Sequence, residues 1–347
     1  GHSDLGDILI MPTTGALKLN PGTASNPESG FRSRFSHKNE SAQPNYYQVL
    51  LQDYGINAQL TTTTRVGMHQ YTFPASKHAH IILDMMHGLY NYPAKNVRTY
   101  IRVVNDSLVT GYRETRGWAR TRTVFFAIAF SKPFKNYGAK DFSPVQPYKG
   151  FWGKWNQDDN FPELSTFQVR MHFDFETSAS EKILLKVAIS PVSIDNALEN
   201  MHKEIPDWDF ERVKKEGQEQ WNTELSKIRA ELLIHADSVN FYTSVYHAFL
   251  GPTIYEDVNG QYKGLDQKVH EAKGFTNYTT FSLWDTHRAL HPLFNLIQPE
   301  RNRDMVKSML AHYKQNIVGM LPVWSTYGNE TWCMSGYHSV SVIADAV

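Results

Sequence analysis

A single cysteine, Cys333, is all that the 347 residues contain, so no intrachain disulfide can staple this chain and a small disulfide-built domain is excluded. Net charge is missing too. Lys plus Arg equals Asp plus Glu at 35 each, so nothing in the balance asks for a nucleic acid or another polyanion as partner. No apolar run is long enough to span a bilayer as a helix, and no signal peptide opens the chain. Yet the sequence starts at Gly1 without Met and stops at Val347 inside a helical pattern, with no glycine cap or proline stop. Such ends read as those of a piece of a longer protein, and the missing signal peptide then excludes no location.

What is present is a globular composition, 41% hydrophobic and 20% charged. The length exceeds one ordinary core, so two domains are expected. Aromatics are abundant at 13%, with 8 Trp and 18 Tyr. Such rings suit sugar binding, because a ring face packs on sugar C–H groups while its N–H or O–H tip bonds hydroxyls. They suit a large β core equally well, so composition alone does not choose.

From Ile8 to about Ser190 the pattern is that of strands. Residues 96–104 alternate Val97, Thr99, Ile101 and Val103 against Arg98, Tyr100 and Arg102. Residues 167–176 alternate Val169, Met171, Phe173 and Phe175 against Gln168, Arg170, His172 and Asp174. Each predicts a strand with one buried face. Further strands are expected over 46–51, 56–64, 66–73, 80–84, 108–114, 123–130 and 183–189, with turns at Tyr54-Gly55-Ile56-Asn57 and Asn105-Asp106. Many short strands without intervening helices argue for an antiparallel β-sandwich. The Gly-, Pro- and aromatic-rich stretch 132–162 reads as a long decorated loop.

The period changes at Ser193. A short helix is expected over 193–205, followed after Pro206-Asp207 by a second with the stripe Phe210, Val213, Gly217, Trp221, Leu225 and Ile228 on one side and dense charge elsewhere. Beyond Asp237 helices are predicted over 239–249, 285–297, 303–316 and 336–347, and nothing but helices. The links alternate between short (298–301) and long (251–284 and 318–334). Hairpins of this kind build an (α/α) toroid, whose long loops gather at one end on a rigid scaffold, where function usually sits. The fold class is therefore mixed all-β plus all-α. The expected division is a sandwich over 1–192, a helical linker over 193–236 and the start of a toroid over 237–347.

Both long links carry a tryptophan beside a carboxylate at a helix start. One motif is Phe281-Ser-Leu-Trp-Asp-Thr-His-Arg-Ala-Leu-His291, the other Gly328-Asn-Glu-Thr-Trp-Cys-Met-Ser-Gly-Tyr-His338. Asp285 or Thr286 can cap the first helix, and Trp284 can be plain core. Two such motifs in one helical region favour a pocket floor of aromatic faces and carboxylates. Asp285 and Glu330 form the best-placed carboxyl pair for glycoside hydrolysis, although binding hydroxyls or capping helices is the stronger reading for both. A Cys333–His338 dyad at i, i+5 need not face itself. His78-x-His80 is too sparse for a metal site. The sequons at Asn39, Asn105, Asn277 and Asn329 arise easily by chance.

These motifs resemble those of family 92 of the glycoside hydrolases, the calcium-dependent exo-acting α-mannosidases common in gut Bacteroides-like bacteria. The matching text is Ser3-Asp-Leu-Gly-Asp-Ile-Leu-Ile-Met-Pro-Thr-Thr-Gly15, Ser282-Leu-Trp-Asp-Thr286 with Arg288 and His291-Pro292, and Gly336-Tyr-His338 leading into Val342-Ile-Ala-Asp-Ala346. Gly117-Trp118-Ala119 and Ser131-Lys-Pro-Phe134 agree more loosely. The resemblance implies a β-sandwich, a helical linker and the first part of an (α/α)6 barrel. It also implies inverting hydrolysis of terminal α-mannosyl bonds, calcium as cofactor, a mannose-containing glycan as partner, and a periplasmic, cell-surface or secreted location. Trp284, Trp324 and Trp332 would offer apolar faces to the sugar, with Asp285, Asn329 and Glu330 bonding its hydroxyls and Arg288 and His338 beside them.

The family's Glu-Gly-Asn-Ala-Trp-like acid motif and Gly-Asn-Asp-Asp-like base motif do not occur between Gly1 and Val347. No catalytic role therefore carries onto Asp285 or Glu330, which the resemblance places in the pocket wall. The expectations that follow are convergence of Trp284, Asp285, Glu330 and Trp332 on one concave site, inactivity of these residues alone, and the remainder of the same protein as a partner. The alternatives are a phosphorylase-like enzyme of the same architecture and a non-catalytic glycan-binding module.

Overall fold

A computed structural model describes residues 4–92, 94–144 and 162–347. The chain divides into two compact units, one of residues 2–116 and 123–217, the other of 117–122 and 218–347. The first, the sandwich unit, holds β1 (Leu9–Thr14), β2 (Glu40–Gln43), β3 (Tyr46–Leu51), β4 (Ile56–Thr62), β5 (Val66–Phe73), β6 (Ser76–Asp84), β7 (Asn96–Asn105), β8 (Leu108–Thr115), β9 (Arg122–Phe130), β10 (Asn136–Asp141), β11 (Glu163–Thr166), β12 (Val169–Thr177) and β13 (Glu181–Ser190). They form a four-stranded sheet, β1-β6-β12-β10, and a nine-stranded one, β11-β7-β8-β9-β13-β5-β4-β3-β2. The ladders are antiparallel, as in β12–β6 and β13–β5, so the unit is the antiparallel β-sandwich that the alternation predicts.

Period-2 patterning puts one face of each strand into the core. Ile81 and Leu83 of β6 and Met171, Phe173 and Phe175 of β12 share one buried cluster with Ile101, Phe126, Ile128, Ile183 and Leu185 of the larger sheet. The turns follow their own chemistry. Gly55 sits at φ 62° between β3 and β4, and Asn105 Oδ1 accepts the Ser107 N–H at 2.9 Å in the β7–β8 turn. The stretch read as one decorated loop over 132–162 contains β10, which pairs with β12. Its residues 145–161 lie outside the described ones.

Helix α1 (Ile194–Glu204) starts on Ser193, whose hydroxyl accepts the Asn196 N–H. Its Ala197 and Met201 pack on Val66, Met68, Ala127 and Ala188, opposite the sandwich core. Glu204 fixes this docking through Arg65, at 2.7 Å. The division between the units falls within α2 (Phe210–Leu225).

The second, helical unit contains α3 (His235–Ala248), α4 (Leu283–Thr286), α5 (Leu290–Ile297), α6 (Pro299–Gln315) and α7 (Ser339–Asp345). The helical region α1–α7 has the arrangement of the start of an (α/α) toroid. Its core is formed by Tyr278, Phe281, Leu283, Phe294, Met305, Met309 and Val342. Two expectations need correction. The helix predicted over 285–297 is broken into α4 and α5 at Ala289 (φ −144°, ψ −51°). Pro292 explains the break, because its ring would collide with the carbonyl four residues earlier in a continuous helix. The links are also not purely irregular. They pair as short ladders, β14 (Thr253–Ile254) with β17 (Tyr278–Thr279), β15 (Gln261–Lys263) with β16 (Val269–Glu271), and β18 (Ser325–Thr326) with β19 (Asn329–Glu330).

Candidate functional site

The β18–β19 hairpin is the scaffold of the second motif. Its two loop residues, Tyr327 (φ 47°) and Gly328 (φ 70°), are both left-handed, as a tight hairpin requires. A Cβ on Gly328 would lie 2.9 Å from the Lys263 carbonyl, so only glycine fits. Three bonds seat the hairpin on the segment before α4 and on α6. Phe281 N–H donates to the Ser325 carbonyl at 3.0 Å. Tyr327 N–H donates to Thr279 Oγ1 at 2.8 Å. Ser325 Oγ lies 3.0 Å from His312 Nδ1. The His312 imidazole is buried, which lowers its pKa from 6.5 to about 4.

Within this frame the two polar residues of the motif face the backbone. Glu330 accepts from the N–H groups of Val323 (3.0 Å), Trp324 (2.9 Å) and Trp332 (3.0 Å). Asn329 is buried; its amide donates to the carbonyls of Thr121 and Tyr327, and its oxygen accepts the Thr121 N–H. Asn329 thereby clamps the 117–122 loop to the hairpin. That loop brings Trp118 to within 5.4 Å of the Trp324 ring. Arg122 lies over Tyr327 at 4.5 Å, and Tyr255 meets the same ring at 5.8 Å. Burial raises the Tyr255 pKa well above its ordinary value. The Trp324 indole Nε1 is buried with no acceptor among the described residues.

The first motif sits on α4. Trp284 is 38% exposed, and the Arg288 guanidinium covers its ring at 5.0 Å while donating to the Trp284 carbonyl at 2.9 Å. Asp285 is exposed and caps nothing: the α4 N-cap residue, Ser282, makes no side-chain cap bond. The Thr286 hydroxyl turns back to the Ser282 carbonyl. The next residue links the two motifs. The His287 ring stacks on His338 at 3.9 Å and 9°, and His287 Nδ1 lies 2.9 Å from the Leu283 carbonyl. Trp332 adopts φ 54° and is 44% exposed. Sequence reasoning did not include Trp118, Arg122, Tyr255 or Tyr327, and only Gly117-Trp118-Ala119 offered a signal. The sequon asparagines Asn277 and Asn329 are both buried.

A second group of chemistry-bearing residues lies in the sandwich unit. His80, His172 and Asp174 place one ligand atom each within 4.8 Å of one another, the spacing of a metal site. His80 Nδ1 and His172 Nδ1 meet the same Asp174 oxygen at 2.7 and 2.8 Å. Burial alone would raise the Asp174 pKa, but the hydrogen bonds from His172 and His80 reverse this and hold it well below the carboxylate range. His78-x-His80 did not disclose this group, because His80 finds its partners on β12, where Asp174 is its register mate.

Residues 1–190 match the glycosyl hydrolase family 92 N-terminal domain and residues 196–347 the family's catalytic domain. The chain belongs to glycosyl hydrolase family 92. The structure of the GH92 α-mannosidase BT3965 from Bacteroides thetaiotaomicron is 45% identical, with a TM-score of 0.89 over 98% of this chain and 44% of that one. The GH92 inverting mannosidase BT2199 from the same species is 26% identical, with a TM-score of 0.82 over 98% of this chain and 42% of that one. A curated relative from Arthroderma benhamiae, described as an uncharacterized secreted glycosidase, is 20% identical over 63% of this chain and 29% of its own length. The chain thus spans less than half the length of these relatives. Among the described residues, no helix is long and apolar enough to cross a membrane.

The calcium that the family resemblance implies does not fit the His80–His172–Asp174 group. Calcium takes about six to eight oxygen ligands, whereas this group offers two imidazole nitrogens and one carboxylate.

Proposed function

We propose that the protein containing this chain hydrolyses terminal α-mannosidic bonds in glycans, with inversion and with calcium as cofactor. The 347 residues would build part of the sugar pocket. The observation that carries this reading is the 45% identity to the α-mannosidase BT3965 across 98% of the chain, a protein also solved with mannoimidazole. Inversion rests on the likeness to BT2199. It requires an acid and a base on opposite faces of the sugar, with carboxyls about 6.5–9.5 Å apart. Neither family motif for that pair occurs here, so the pair is assigned to the remainder of the protein, which would also cover the exposed apolar side chains of the helical unit. Calcium, when bound, would supply a hard cation for sugar hydroxyls, held by ligands outside the His80–His172–Asp174 group.

The eight site residues divide by what their polar atoms already do. Trp284, with Arg288 over its ring, and Trp332 are both partly exposed and would offer apolar surface to a sugar. The Asp285 carboxylate is exposed and would bond sugar hydroxyls, with Arg288 and His338 beside it in the pocket. Trp324 would offer its buried indole N–H. Asn329 and Glu330 hold the loops that carry these rings and act as positioning residues. The proposed division stays at a sandwich over 1–192, a linker over 193–236 and the toroid start over 237–347. A periplasmic, cell-surface or secreted location is favoured by the relative described as secreted.

The test is turnover of an aryl α-mannoside by the whole protein, with and without chelator. Activity should vanish with chelator, return with calcium, and be absent from the 347 residues alone. Turnover by those residues alone would restore Asp285 and Glu330 as an acid–base pair. Phosphate-dependent turnover would favour the phosphorylase reading, and binding without product release a glycan-binding module.

A further inference from the structure

The outer face of the four-stranded sheet carries a group that hydrolysis of a sugar does not use. His80 stands on β6, and His172 and Asp174 stand one period apart on β12, so strand alternation puts all three on the same face. Register then completes the group, because Asp174 is paired directly with His80. The side chains are 9%, 15% and 26% exposed for His80, His172 and Asp174, so the group is shielded but not sealed. Gly138 is the register partner of His172, and a Cβ there would stand 2.5 Å from His172 Nε2. A side chain at 138 would push the imidazole off the cluster.

The decisive contact lies on the far side of His80. Its Nε2 is 3.0 Å from the Gly15 carbonyl oxygen. A carbonyl can only accept, so Nε2 carries the proton. In the neutral ring Nδ1 then holds a lone pair, and that lone pair points at a carboxylate oxygen 2.7 Å away. Two lone pairs at that distance repel unless a positive charge lies between them. What lies between them is either a proton shared by His80 Nδ1 and the Asp174 carboxyl or a metal ion shared by His80, His172 and Asp174. A backbone carbonyl that fixes the far nitrogen, leaving the near one free, is how metal-binding histidines are usually oriented.

We propose that His80 Nδ1, His172 Nδ1 and an Asp174 carboxylate oxygen form a binding site for a zinc-class divalent transition metal. Two imidazoles and a carboxylate are a ligand set for such ions, with water in the fourth position. The site is separate from the calcium proposed for hydrolysis. Zinc–ligand bonds of about 2.0–2.1 Å put tetrahedral ligands about 3.3 Å apart, so the carboxylate moves outward by a few tenths of an ångström on binding. Asp174, the most exposed of the three, has room for that movement. The ion would tie β6 to β12, with the Gly15 carbonyl orienting His80.

The experiment uses the intact protein, stripped by chelator, dialysed against zinc or calcium and analysed for bound metal. Cobalt serves as the spectroscopic probe of the same site. The site predicts one equivalent of zinc, the intense visible bands of tetrahedral cobalt, and a melting temperature raised by zinc. His172→Ala and Asp174→Asn should each weaken zinc binding by at least about tenfold, and the exposed-site variant His37→Ala should leave it unchanged. Calcium uptake should be equal in the wild type and in His172→Ala. Two results would overturn the proposal: zinc uptake no greater than that of His172→Ala, or calcium uptake lost in that variant. The wild type provides a check free of folding artefacts, because nitrogen NMR of the histidines in the presence of zinc should show His80 without a proton on Nδ1. A doubly protonated His80 there would mean a plain imidazolium–carboxylate pair.

Discussion

The two units of this chain bury their apolar residues to very different degrees. In the sandwich unit two sheets close on each other over one extensive buried cluster that includes Phe126, Phe173, Ile183 and Leu185. The core of the helical unit is a small cluster around Phe281, Leu283 and Met309, while Leu296 and Ile317 stand 81% and 93% exposed. Apolar area removed from water is the main source of stability, at about 25 cal/mol per Å². The sandwich therefore carries its own stability, and the helical unit keeps apolar surface to bury. The proposed site residues follow the same contrast, since they sit on the loops of the less buried unit.

The sharpest test of that contrast is a pair of truncations. Phe173→Ala removes a ring packed against Phe130 and Phe134 and should cost about 3–5 kcal/mol. Phe294→Ala, in the smaller core, should cost less because its neighbours can relax. Urea denaturation of both variants measures the difference, and equal losses would break the comparison.

Next in size is the response to acid. The pKa of His312 is lowered from 6.5 to about 4 by burial, so between those values the unfolded chain binds the extra proton and the fold does not. Stability is then complete above about pH 7 and declines as pH falls through 6.5 to 4, by up to about 3 kcal/mol. Denaturation of the helical unit at a series of pH values should show this slope, and His312→Gln should flatten it. A wild type insensitive to pH in that window would contradict the assignment.

Smaller effects separate positioning from contact in the site. Glu330→Ala strands three backbone N–H groups and should destabilise the helical unit by about 1–3 kcal/mol. Asp285→Ala should change stability by no more than about 0.5 kcal/mol. In the whole protein the same variant should weaken a mannoimidazole-type inhibitor by about 1–3 kcal/mol. Thermal melts beside inhibitor titrations read both quantities. An unchanged inhibitor affinity in Asp285→Ala would remove that carboxylate from the pocket.

Local signals were legible in the sequence and long-range ones were not. Alternation over 167–176 identified a strand and placed His172 and Asp174 together on its polar face. It could not supply His80, because register between β6 and β12 is set by the whole sheet. Pro292 is the local signal for the break before α5, but the helical spacing of Ala289, Leu290, Leu293, Phe294 and Ile297 reads as one continuous helix. Glu330 read as a pocket carboxylate because nothing local says that a hairpin will turn three amides toward it. Trp118 joins the Trp324 ring from about two hundred residues upstream, a contact made possible by Asn329 holding the 117–122 loop.

The proposed membership of these residues in an inverting α-mannosidase is tested most directly by the anomer first released. Proton NMR of the whole protein acting on an α-mannoside in the presence of calcium, recorded before mutarotation, should show β-mannose appearing first. Initial release of α-mannose, or no release from any α-mannoside, would contradict the account.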